Sequence, residues 1–118
     1  AGPGGDAVPS AYLGHWQGTL ADHTGFEGPQ AADLRITGGE VSTVVGTVSY
    51  PNIGCTYDFR LVSGQPDRVT FYEQVRSGRC QSEYVVLASA GSGLTENVYP
   101  EPPSGGQPDF SGPLARAD

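Results

Sequence analysis

Residues 55–80 read CTYDFRLVSGQPDRVTFYEQVRSGRC, and the order of residue types in this stretch decides the fold. Tyr57, Phe59 and Leu61 alternate with Asp58 and Arg60, and Val69, Phe71, Glu73 and Val75 form a second period-two set. Alternation of this kind gives each strand one apolar face and one wet face. Between the two runs, Ser63-Gly64-Gln65-Pro66-Asp67 is turn chemistry, so a meander carries Cys80 back to the end at which Cys55 begins. These are the only two cysteines in the chain, and the spacing predicts that they bond. Such a bridge closes a loop of about 26 residues, worth roughly 3 kcal/mol in the chain-entropy model, and it implies an oxidising compartment. No Cys-x-x-Cys is present and no other Cys or His lies close by, so the pair reads as structural rather than metal-binding or redox-active.

Outward from this hairpin the same signals recur. Eight β-type runs can be drawn: Leu13 to Leu20, Ala32 to Thr37, Val41 to Tyr50, Cys55 to Val62, Arg68 to Val75, Cys80 to Ala88, Leu94 to Tyr99 and Asp109 to Ala115. They are separated by clusters such as Gly38-Gly39, Pro51-Asn52-Ile53-Gly54, Ser77-Gly78-Arg79 and Gly91-Ser92-Gly93. No window carries a helical period. Eight short antiparallel strands with one apolar face either stack as a β-sandwich or close on themselves, and closure removes exposed edges. The expected fold is all-β: a small eight-stranded antiparallel β-barrel, a lipocalin-like meander, with the sandwich as alternative. At eight strands the interior holds side chains or one small ligand.

A chain of 118 residues makes one domain. Residues 1–11 are Gly, Pro and small polar types and read as a flexible arm; residues 12–118 form the barrel. The run from Pro100 to Pro108, PEPPSGGQP, can be neither helix nor central strand and reads as an exposed flap. The chain has no Met and begins at Ala1, which suggests a processed, secreted protein. All six basic residues are Arg, and 13 acidic residues give a net charge of −7, so a nucleic-acid backbone would be repelled. No apolar run approaches the ~20 residues of a membrane helix, and membrane insertion is not expected.

Few residues suggest chemistry. His15 and His23 match no metal-ligand spacing, even with Asp22 and Glu27, and Ser10 and Thr24 sit in no nucleophile elbow. Neither a catalytic residue nor a metal or cofactor is expected. Glu73 is the sharper oddity, because its alternation with Val69, Phe71 and Val75 turns it inward. A buried carboxylate must be satisfied. Either it bonds an Arg or a Tyr as a structural group, or it lines a polar cavity with Tyr57 or Tyr84 nearby and meets a ligand. Trp16, the only tryptophan, reads as a plug for one barrel end, and outward-facing members of the set Tyr50, Tyr72, Tyr84 and Tyr99 suit a protein interface.

Several motifs in order, Trp16-Gln17-Gly18-Thr19, Val45-Gly46-Thr47-Val48-Ser49-Tyr50-Pro51, Gly54-Cys55, Val69-x-Phe71-x-Glu73, Cys80 and Ser111-Gly112-x-Leu114-x-Arg116, resemble the small extracytoplasmic β-domains of actinobacteria. These occur as free secreted proteins and behind the membrane helix of some serine/threonine protein kinases. The resemblance implies an extracellular, non-catalytic sensing or binding module with a Cys55–Cys80 bridge, in which Trp16, Gly46, Tyr50 and Glu73 define shape. The arm and the flap depart from that pattern and suit a free-standing protein. The leading expectation is therefore a secreted adaptor or assembly subunit that binds another secreted protein. Its contacts would come from the arm, at Pro3, Val8 and Pro9, or from the flap, at Tyr99, Pro100, Glu101, Pro102 and Pro103. A secreted protease inhibitor using the flap and a lipocalin-like sensor of a small ligand are the alternatives.

Overall fold

The computed structural model describes residues 7–102 and 106–117. Within them the alternation read from the sequence becomes a closed barrel of eight antiparallel strands: β1 (Gly14–Asp22), β2 (Gln30–Ile36), β3 (Val44–Tyr50), β4 (Cys55–Gly64), β5 (Arg68–Ser77), β6 (Glu83–Ala90), β7 (Gly93–Tyr99) and β8 (Phe110–Arg116). Each strand pairs with its sequence neighbours, and β8 returns to β1. The sandwich alternative is excluded by that last pairing. Buried residues alternate along the strands, as in Ala32, Leu34 and Ile36 of β2 or Tyr57, Phe59 and Leu61 of β4, and they fill the interior as one core. Phe59 and Phe71 stack at its centre, 4.5 Å apart.

Closure depends on two glycines at the seam between β1 and β8. A Cβ on Gly18 would run into the Pro113 carbonyl, and one on Gly112 into the Thr19 carbonyl. Only glycine lets the two backbones come this close.

Several strand limits differ from the sequence reading for local reasons. The third strand starts at Val44 rather than Val41, because Ser42 takes a positive φ of 71° and the Thr43 hydroxyl donates to the Glu40 carbonyl, closing a turn. The sixth starts at Glu83 rather than Cys80. Gly78, at φ 100°, turns the chain after β5 and leaves Cys80 in the connecting loop. Cys80 nevertheless reaches Cys55, and the disulfide joins Cα atoms 6.3 Å apart.

Strands β1, β3, β5 and β7 all run in one direction along the barrel. The described residues of the connections after them, 23–29, 51–54, 78–82, 100–102 and 106–109, therefore gather at one end. Residues 37–43, 65–67 and 91–92 turn the chain at the other end, where β1 begins and β8 finishes.

Candidate functional site

The end at which the chain enters is sealed. A single 3-10 turn, Ser10–Tyr12, lays Tyr12 and Trp16 across it; both are buried, and the Trp16 indole N–H donates to the Tyr12 carbonyl at 3.1 Å. The Tyr12 hydroxyl reaches the Pro66 carbonyl in the turn between β4 and β5. Arg116, the register partner of Trp16 on the last strand, places its guanidinium 4.3 Å from the indole centroid and donates to the Leu13 carbonyl at 2.9 Å. Trp16 is the plug that its position suggests. The chain just before it is also held: Ala7 bridges Glu40, the Val8 N–H donates to the Gly39 carbonyl, and Val8 packs against the core.

Among the described residues the opposite end is open. A cavity of about 590 Å³ enters there, and its buried walls are Leu20, Gln30, Tyr50, Cys55, Tyr57, Val98 and Phe110. The rim comes from all four loops. Asp22 shapes the first of them: its carboxylate accepts from the backbone N–H of Thr24, Gly25, Glu27 and Gly28 and from the Thr24 hydroxyl. These bonds, the Thr24 hydroxyl first, hold its pKa well below the usual carboxylate range. They also set Phe26 at the cavity mouth although its ring is 91% exposed. The disulfide fixes the rim on the other side, because Cys55 opens β4 and Cys80 carries Arg79 and Gln81 with it.

At the level of Tyr50 the interior holds an unusual polar group. Tyr50 reaches from β3 into the barrel and its hydroxyl lies 2.6 Å from Glu73 Oε2 on β5 and 2.6 Å from Glu96 Oε2 on β7. Both glutamates are fully buried, and the second oxygen of each has no hydrogen-bond partner. A phenol has one proton. It can donate to one carboxyl and must accept from the other, so at least one of the two glutamates is protonated. Burial raises the Glu73 carboxyl well above its usual range, reinforced by the charge of Glu96, and burial pushes Glu96 up to about 7. The consistent arrangement has Glu73 donating to Tyr50 and Tyr50 donating to Glu96. Tyr50 and Tyr57, 5.7 Å apart and edge to face, present this assembly to the cavity.

No family model, no curated protein and no solved structure matches the chain. The site must therefore be read from its own residues.

Glu73 faces inward as its alternation indicates, and of the two partners expected for it, Arg or Tyr, the structure supplies Tyr50. Among the described residues no Arg is paired with it: two carboxyls share a phenol, and protonation rather than a counter-charge neutralises the group. Glu96 is not singled out by the sequence reading, although Leu94, Glu96 and Val98 show the same alternation. Tyr50 belongs to the interior, not to the outer surface. Tyr72, Tyr84 and Tyr99 do lie outside, in one row of register partners across β5, β6 and β7, with the first two rings 5.2 Å apart.

The candidate binding residues separate. Val8 and Pro9 lie at the sealed end, half-buried, while Tyr99, Pro100, Glu101 and Pro102 lead into the flap at the open end; Pro3 and Pro103 lie outside the described residues. His15 and His23 are apart and on the outer surface: His15 Nε2 is 2.5 Å from Asp33, and His23 Nε2 is 2.7 Å from the Ser111 hydroxyl. Among the described residues no three metal-ligating side chains come together, and no helix is long and apolar enough to cross a membrane.

Proposed function

We propose that the chain is an extracytoplasmic, non-catalytic binding module that takes up a small molecule through the open end of its barrel. The observation that carries this reading is the asymmetry of the two ends. One is plugged by Tyr12, Trp16 and Arg116, while the other admits a cavity of about 590 Å³ whose lining mixes aromatic and aliphatic side chains with polar and charged ones. A volume of this order suits one small ligand. The disulfide favours an oxidising, extracellular setting, and the resemblance to actinobacterial extracytoplasmic domains favours sensing. Catalysis has less support, because Glu73 and Glu96 are fully buried behind Tyr50 and offer no free carboxylate to a bound molecule.

The neutral fluorophore N-phenyl-1-naphthylamine tests the reading. Saturable one-site binding is expected, weakened by Phe26→Ala at the lip and blocked by Gln81→Trp on the exposed rim. Binding that fails to saturate, or that ignores both substitutions, would rule out the cavity as the site.

A second reading, a secreted adaptor that binds another protein, draws on the outward row of Tyr72, Tyr84 and Tyr99. Large amphipathic rings held in a rigid sheet suit an interface core. A secreted partner recovered with the native chain should be lost on Tyr72→Ser together with Tyr84→Ser. Retention by that double variant would exclude the row as the contact.

A further inference from the structure

We infer that the molecule taken at the open end is an organic cation, an ammonium group carried on an aromatic or similarly bulky apolar body. The inference rests on the reading of the open end as a small-molecule site and adds the chemistry that selects the occupant.

Three observations converge. First, one cavity-lining side chain carries a buried acceptor that has no partner among the described residues, Gln30 Oε1. Gln30 is only 3% exposed and lines the cavity. Its Nε2 donates to the carbonyls of Glu27 at 3.3 Å and Gly28 at 3.1 Å. Those two acceptors settle which end of the amide is nitrogen and leave Oε1 without a donor. A buried acceptor without a donor is costly, and an N–H from a ligand would satisfy it.

Second, the ionisable groups of the wall are Glu27, Glu83 and Asp109 against a single exposed Arg79. Negative charge concentrated in a cleft draws cations in and repels anions. Third, the aromatic residues of the wall, Phe26, Tyr50, Tyr57 and Phe110, offer ring faces to an ammonium and packing area to its apolar body. A carboxylate ligand would meet Glu27 and Asp109, joined by Glu83 once it ionises. A neutral apolar ligand would fill the volume but leave the Gln30 acceptor unpaired.

Tryptamine, tryptophol and indole-3-propionate share a ring and a short chain and differ in the head group, which makes them the probes of choice. Titrations followed by calorimetry and by amide chemical shifts at the cavity residues should place tryptamine at least about tenfold ahead of tryptophol, with indole-3-propionate weakest. Raised salt and Glu83→Gln should both shrink that preference and leave tryptophol unchanged. Asp109→Asn, at the rim, serves the same purpose should the Glu83 variant fold poorly. Equal binding of the three probes, or a preference for the propionate, would overturn the cation while leaving the small-molecule site standing. No binding by any of them, with no shift at the cavity residues, would overturn the site itself.

Discussion

At the scale of single residues, the shared proton of Tyr50, Glu73 and Glu96 makes stability depend on pH in a definite direction. The unfolded chain releases its glutamate protons near pH ~4.3. Folded Glu73 holds its proton well above that value, and Glu96 and Glu83 hold theirs up to about 7, all mainly because of burial. Between these limits the folded state binds more protons, so stability falls as pH rises. Urea midpoints should therefore be highest near pH ~5 and lower at pH ~8, and the double variant Glu73→Gln with Glu96→Gln should flatten most of the difference; a midpoint that climbs toward pH 8 would contradict the shared proton. Tyr50→Phe leaves both carboxyls without their common partner and should cost about 1–3 kcal/mol, measurable in the same titration. Of this group, Glu73 was legible from its alternation with Val69 and Phe71, and Glu96 obeys the same rule between Leu94 and Val98. Tyr50 was not legible as their bridge. Its partners lie two and four strands away around the barrel, and nothing local in the sequence states which residues meet across an interior.

At the scale of elements, the seam and the loops do different work. Gly18 and Gly112 allow β1 and β8 to pair, so Gly18→Val should force the backbones apart and lower unfolding free energy by about 1–3 kcal/mol or more, as read by thermal or denaturant unfolding. Reduction of the disulfide should cost about 2–5 kcal/mol and should also broaden amide signals around Arg79 and Gln81, since that loop is held to β4 through Cys80. Asp22→Ala removes the acceptor for four backbone N–H groups in one rim loop. The expected result is weaker capture of the naphthylamine probe with a nearly unchanged melting temperature, because that loop adds little to the core. The count, order and mostly the limits of the strands were readable from alternation and turn residues. Errors fell where a tight turn interrupted an otherwise strand-like run, at Val41 and at Cys80, since Ser42 with positive φ and the reversal at Gly78 leave no mark in residue hydrophobicity.

For the whole molecule, the polarity of the barrel matters most. Trp16 was recognisable in the sequence as a plug, but the end it closes and the end left open follow only from the shared direction of β1, β3, β5 and β7. The open end gathers Glu27, Glu83 and Asp109, and Glu83 changes charge near pH 7, raised first by burial and then by the charges of Asp109 and Glu27. Arg79 on the rim, Tyr57 on β4, Glu73, its register partner on β5, and Glu96 on β7 complete its surroundings. An alkylammonium keeps its proton beyond pH ~8, so tryptamine affinity should rise from pH ~6 to ~8 as Glu83 ionises. A flat or falling profile would remove Glu83 from the recognition. Both the residues that lead into β1 and those that leave β8 stand at the plugged end, side by side through Trp16 and Arg116. A tether attached on either side therefore hangs below the cup. Through one strand pairing at the base, the described chain enters and leaves the barrel on the side opposite the mouth, so neither described end of the chain crosses the opening.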